Sequence, residues 1–236
     1  SLLANTGYQV TREYYVNNAG SQIDILGKSL FKRYLELHGE KVELNSNEYP
    51  GEYLIDIAKL IKKKDGDKWL NHDSIDREDY FKDFAVKYLI EFIEKDLMLL
   101  NIKFDKFSFE KDIVNSNIIN DLFNILNKKN LLYNGILEKP KGDDSEDWEP
   151  REQLLFKSSS IFDDQDRAFK KSSGEWTYFA NDAAYHLDKY NREFNKLINI
   201  WGADHVGYIP RMKSILKTIS NRDDYLEIVT CQIVRL

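Results

Sequence analysis

Cysteine is almost missing from this 236-residue chain: Cys231 is the only one, so neither a disulfide framework nor a cysteine-based zinc site can form within one chain. It lies in the apolar run 228–234, where a buried, inert thiol is expected. Long hydrophobic stretches are missing as well, and nothing approaches the roughly 20 apolar residues that span a bilayer. The opening SLLANTGYQVTREYY has neither the basic start nor the apolar stretch of a signal peptide, so the expectation is a cytoplasmic protein without a membrane partner. A positive charge excess is lacking: 34 Lys and Arg against 40 Asp and Glu leave −6, which excludes a surface that traps nucleic acid as a whole but allows a local basic stripe. Histidine is scarce at four residues, with no H-E-x-x-H spacing, so no metal site is expected. Neither G-x-G-x-x-G nor the P-loop pattern occurs, and G-x-S-x-G is missing too.

What is present suits an ordinary globular chain, with 42% hydrophobic residues to fill a core. SLLANTG reads as the tail of a helix, and 9–16 as a strand. The apolar positions Ile23, Ile25, Leu26, Leu30, Phe31, Tyr34 and Leu37 recur at helical spacing over 21–37, with His38 and Gly39 as the stop. Here His38 is a helix C-terminal cation near the dipole. The texture changes over 40–150. YPGEYLIDIAKLIKKKDGDKW and REDYFKDFAVKYLIEFIEKDLMLLNI are amphipathic helices, IKFDKFSFEKDI alternates like a strand, and SNIINDLFNILNKKN is a capped helix. LLYNGILEKP is a strand closed by Pro140, and KGDDSEDWEP an acidic loop. Lys62 to Lys64 read as a solvated helix end rather than an RNA patch, and His72 as a turn residue.

From Arg151 the pattern changes again. EQLLFKSS and GEWTYFA look like strands, 181–190 a helix, 196–201 a strand, 205–220 a helix and 225–234 a strand, which predicts right-handed crossovers and a parallel sheet. In such a sheet ligands bind at the carboxyl ends of the strands. TYFANDAAYH puts Asn181 at a helix cap and Asp182 in the first turn, where the dipole favours a carboxylate. WGADHVGY puts Asp204 and His205 in the same place one crossover later. Four readings of that pair stand: a metal site, part of a triad, a bare helix cap, or ligand binding through hydrogen bonds. The first two lack their remaining ligands or nucleophile. His186 lies four positions after Asp182 and reads as a core or surface residue.

The blocks REYYVNNAGSQI, EYPGEYL, WEPREQLLFKS, GEWTYFANDAAYHLDKY and INIWGADHVGYIPRMK, in this order and spacing, closely resemble bacterial arginyl-tRNA synthetases over essentially all of the chain. Asn18, Ala183 and Val206 depart from the usual residues, which are Asp, Ile and a second His. The resemblance implies an α/β fold, a class I Rossmann-like parallel sheet with helices on both faces, interrupted by an α+β connective insertion. It implies a first catalytic half over 1–39, the insertion over 40–150 and the second half over 151–236. The implied activity is ATP-dependent activation of L-arginine and its transfer to the arginine tRNA, with Mg²⁺ as counter-ion, no tightly bound cofactor and a monomeric enzyme. Asp182 and Glu110 match the acidic positions that engage the guanidinium, Tyr178 a hydroxyl-bearing pocket residue, His205 a polar residue near the substrate and Gly202 a backbone position near adenosine. Two carboxylates suit a planar, permanently charged guanidinium with five donors. By itself, a glutamate at 110 on an alternating strand reads as solvent face. The class I His-Ile-Gly-His and Lys-Met-Ser-Lys-Ser motifs, expected just outside 1–236, are not in the chain. No catalytic residue is therefore assigned, and a fragment inactive by itself is expected. A non-catalytic arginine- or RNA-binding piece, or another class I synthetase, are the alternatives.

Overall fold

The computed structural model describes residues 2–71, 74–137 and 150–232. His72, Pro140, most of the acidic loop and the end of the last strand lie outside the described residues. Two compact units divide the chain, 1–111 and 112–236.

The first unit opens with an exposed turn, α1 (Leu2–Asn5), and is built on three helices whose apolar stripes face one another, α2 (Ser21–Leu37), α3 (Tyr53–Asp65) and α4 (Ser74–Leu99). The periodic residues of 21–37 form the inner face of α2, which stops where His38 and Gly39 were expected to stop it. Leu30, Tyr34, Leu54, Ile57, Ile61 and Phe81 are fully buried. The Phe81 ring stands edge-on to Phe31 at 5.1 Å and to Tyr34 at 5.4 Å, a preferred aromatic geometry. Tyr34 donates its hydroxyl to the Gly66 carbonyl at 2.7 Å, so its polar tip is satisfied inside the core. Gly27 lets α2 approach α4 closely, because a Cβ there would meet Lys82 Cγ at 2.6 Å and the Lys82 amide nitrogen at 3.2 Å. Lys62, at the end of α3, donates to the Leu37 carbonyl at 2.5 Å, in keeping with a helix-end lysine.

Two strands complete this unit. β1 (Glu13–Val16) pairs in parallel with β2 (Lys106–Phe109). β1 is shorter than the expected 9–16. Arg12 instead grips Asp105 with its backbone amide at 2.8 Å and with both arms of its guanidinium at 3.0 Å, which pins the chain just before pairing begins. The chain then enters α5 (Glu110–Asn115).

The second unit holds an antiparallel and a parallel sheet. After α6 (Ile118–Lys128), the strands β3 (Leu132–Gly135), β4 (Gln153–Phe156) and β5 (Arg167–Lys170) form an antiparallel meander. The expected strand EQLLFKSS therefore exists, but outside the parallel sheet. Phe156 and Phe169 point from this meander to Phe179 with centroids 6.1 and 6.2 Å away. Buried Asp163 is held by Arg167 at 2.7 Å, and although burial pushes its carboxyl up, the guanidinium outweighs this and holds it below the ordinary range.

Next come α7 (Tyr178–Asn191), β6 (Leu197–Gly202), a 3₁₀ turn over Ala203–Tyr208, α8 (Ile209–Ser220) and β7 (Leu226–Cys231). β6 and β7 are parallel, with Gly202 opposite Cys231 at their carboxyl ends. The α/β character predicted for the last third holds here. The helix expected over 205–220 splits, because Pro210 at the start of α8 lacks the amide needed to continue the preceding turn. Among the described residues no helix is long and apolar enough to cross a membrane.

Cys231 corrects the expectation of a buried thiol. It is exposed, because the outer positions of β7 are uncovered. The native chain should react stoichiometrically with Ellman's reagent at a rate close to that in denaturant, and strong protection would contradict this placement. Phe81→Ala should cost about 3–5 kcal/mol in chemical denaturation, since it empties a fully buried site among Phe31, Tyr34 and Trp69.

Candidate functional site

The site in the second unit is assembled by α7 and the carboxyl end of β6. Thr177 accepts the Ala180 amide at 3.2 Å and donates its hydroxyl to the Ala168 carbonyl of β5 at 2.9 Å. This double anchor starts α7 at Tyr178 and replaces Asn181 as the cap. The expected strand GEWTYFA shrinks accordingly to a single bridge between Lys170 and Trp176. Asp182 sits in the second turn, one turn after Tyr178 and on the same helix face. Tyr178 is 69% exposed and Asp182 half-buried, so this side of α7 carries a hydroxyl in solvent and a carboxylate at the surface boundary.

One turn further along α7, the helix is fixed from within. His186 is buried, its Nδ1 lies 2.7 Å from the Asp182 carbonyl, and its Nε2 is 2.8 Å from the Asn199 amide nitrogen of β6. Since the amide donates to Nε2, the proton resides on Nδ1 and is donated to the Asp182 carbonyl. Lys189 donates to the Asn199 amide oxygen at 3.2 Å. Burial, with repulsion from Lys189, drives the imidazole well below its ordinary pKa and keeps it neutral. The core reading of His186 is thereby supported, and the residue locks Asp182's turn to β6.

At the end of β6, Gly202 is extended, so no unusual backbone angle calls for a glycine there. A Cβ would meet the movable end of the exposed Asp204 side chain. Asp204 caps no helix. It lies 3.6 Å from His205, and both side chains are open to solvent at 81% and 62% exposure, so the pair contributes little on its own. Among the described residues no group of three His, Cys, Asp or Glu could hold a metal ion.

Tyr208 is the residue the sequence reading missed. Its ring packs against Phe179 at 6.4 Å and Trp201 at 6.5 Å, which joins the beginning of α7 to the end of β6. Burial pushes its hydroxyl pKa up, and the Asp182 carboxylate pushes it further. The available signal was an aromatic placed just before the Pro210 helix start, a position that faces the preceding strand end.

Glu110 belongs to the first unit. It is the first residue of α5 and only 7% exposed, which corrects the solvent-face reading. With the Asn17 amide turned so that its nitrogen donates, Asn17 reaches Glu110 at 2.8 Å and the Ala19 carbonyl at 3.1 Å. Burial pushes the Glu110 carboxyl up, while a hydrogen bond from Tyr15 partly offsets it.

No protein-family model matches the chain. Curated relatives do match it from end to end. An arginine–tRNA ligase of Ruegeria pomeroyi is 47% identical over 236 residues, covering all of this chain and 41% of the relative. One of Magnetococcus marinus is 43% identical over 238 residues, again with 41% of the relative covered. Over its whole length, this chain is related to arginine–tRNA ligases. A crystal structure assigned as an arginyl-tRNA synthetase from Campylobacter jejuni superposes with a TM-score of 0.80 at 33% identity, covering 98% of this chain and 47% of that one. The α/β reading and the resemblance to this synthetase family hold on these comparisons. The chain spans about two fifths of the length of the curated ligases.

Because His186 is neutral when folded and binds a proton readily when unfolded, the unfolded state takes up more protons below about pH 6.5. Stability should therefore fall as pH drops from 7 to 5. A His186→Gln chain, though less stable at pH 7, should lack that part of the slope, as read from thermal midpoints against pH.

Proposed function

We propose that this chain is the arginine-recognising part of an arginine–tRNA ligase, whose parent activates L-arginine with ATP and Mg²⁺ and transfers it to the arginine tRNA. Identity of 47% along the whole chain to a curated arginine–tRNA ligase carries this reading. The geometry of the second unit supports it: a half-buried carboxylate, Asp182, shares a helix face with the Tyr178 hydroxyl, and α7 is tied to the strand that ends at Gly202. A carboxylate accepts two parallel hydrogen bonds from a guanidinium, whereas an ammonium offers only a point charge, so such a face separates arginine from lysine.

On this reading Asp182 takes the guanidinium and Tyr178 and His205 contact the amino acid. Gly202 lets adenosine approach the backbone at the strand end, where nucleotides bind in such sheets. The family resemblance also assigns Glu110, in the first unit, to arginine recognition, and its buried carboxyl is held by Asn17 and Tyr15. The reading also divides the chain into catalytic halves at 1–39 and 151–236, with a connective insertion over 40–150. It places the parent, as a monomer, in the cytoplasm where translation occurs.

Calorimetry with L-arginine tests the site. Asp182→Asn should weaken binding by about tenfold or more, the worth of a charge-assisted hydrogen bond. Lysine should bind more weakly than arginine to the wild-type chain. Equal heats from Asp182→Asn and wild type would remove Asp182 from the site. The 236 residues contain neither class I signature motif, so the chain alone should show no ATP–pyrophosphate exchange above background. Exchange at a rate typical of a complete ligase would refute that expectation.

A further inference from the structure

One arginine at the start of α8 stands apart from its neighbours. In this unit Arg167 holds Asp163 at 2.7 Å and Asp164 at 2.6 Å, Arg192 holds Asp188 at 3.2 Å, and Arg222 holds Asp224 at 3.1 Å. Arg211 has no carboxylate at ion-pair distance among the described residues. It is half-buried, its Nε is sealed from solvent without a hydrogen-bond partner, and one Nη reaches the Gly207 carbonyl only at 3.5 Å. Its guanidinium lies 4.4 Å from the centre of the Tyr208 ring, a cation–π contact that orients the group without neutralising it.

The surroundings make that charge more costly still. Arg211 lies in the first turn of α8, where the helix dipole is already positive. Burial and the charge of Arg167 lower its hold on its proton, offset only in part by Tyr208 and Asp163. A half-buried guanidinium with no carboxylate at ion-pair distance, eased only by Tyr208 and the more distant Asp163, gains from an anion that completes it. Its position supplies the rest of the argument, because Tyr208 feels both this guanidinium and the Asp182 carboxylate. A carboxylate of α7 and a guanidinium of α8 thus both act on one phenol, which packs against Trp201 at the end of β6.

We infer that Arg211, with the Tyr208 hydroxyl beside it, receives an oxyanion, a carboxylate or a phosphate, carried by a ligand lying along the Asp182 face. The arginine fork matches the two oxygens of either group. The inference rests on the proposed function only for the identity of the ligand's cationic end. A ligand with a guanidinium at one end and a carboxylate or esterified phosphate at the other would be read at both.

Calorimetry on the 236-residue chain and its Arg211→Gln and Arg211→Lys variants tests this with three probes: inorganic phosphate, L-arginine and agmatine, which is arginine without its carboxylate. The expected result is phosphate binding, or a preference for L-arginine over agmatine, of about tenfold or more that disappears in Arg211→Gln and survives in part in Arg211→Lys. Arg211→Lys keeps the charge and the stem packed on Tyr208, so it guards against a variant that merely misfolds. Phosphate binding that depends on Arg211 assigns the phosphate, and Arg211-dependent discrimination against agmatine assigns the carboxylate. Should neither arginine nor agmatine bind the wild type, the arginine reading fails for this chain and the phosphate arm alone decides the inference. Wild-type indifference to phosphate and to the carboxylate, or unchanged affinities in Arg211→Gln, would overturn it.

Discussion

A neutral imidazole sealed between a helix and a strand sets the geometry of the second unit. His186 can stay uncharged only because each ring nitrogen has a defined partner, the Asp182 carbonyl on one side and the Asn199 amide on the other. Its burial penalises protonation, and Lys189 beside it penalises protonation again. The result is a rigid link between the second turn of α7 and the middle of β6. That link matters because a bidentate contact to a guanidinium is geometric as well as electrostatic, and a carboxylate on a loose helix would lose its advantage over a point charge.

Around this link the functional groups divide by exposure. Asn199, His186 and Ala183 lie inside, while Tyr178, Asp204 and His205 stand in solvent, and Asp182 and Tyr208 occupy the boundary. Boundary positions are where a charge is strong enough to select a ligand and accessible enough to reach it. Water screens the exposed Asp204–His205 pair, whose adjacency in sequence promised chemistry. The half-buried Asp182 carries the electrostatic weight instead, because its charge raises the pKa of the partly buried Tyr208 hydroxyl.

Much of this was legible in the sequence where a local rule governs the outcome. The span of α2 followed from apolar periodicity and its stop residues, and the parallel pair β6 and β7 from strand-helix-strand spacing. Failures came where tertiary contacts outvoted local pattern. Asn181 is a good cap by type, yet Thr177 wins because its hydroxyl is also bonded to β5. EQLLFKSS looked like one more parallel strand, but its partners are β3 and β5, and nothing local encodes the choice of partner. Glu110 looked like a solvent-facing alternation because the strand was read on to Ile113, past Phe109 and into α5. Cys231 looked buried from its apolar neighbours, although burial belongs to whatever covers a strand rather than to the strand itself.

The same distinction explains why Tyr208 and Arg211 stayed invisible. An arginine followed by a methionine in an amphipathic helix is ordinary, and its sequence carries no sign that carboxylates will pair with Arg167 and leave Arg211 alone. That asymmetry arises from the loop 157–166 folding back to place Asp163 and Asp164 against one arginine rather than the other. Had those carboxylates been shared, the start of α8 would be neutral and closed. Because they are not, a cation remains over the ring of the phenol whose pKa the Asp182 charge also raises, and the electrostatic asymmetry of the site centres on Tyr208 rather than on the Asp204–His205 pair.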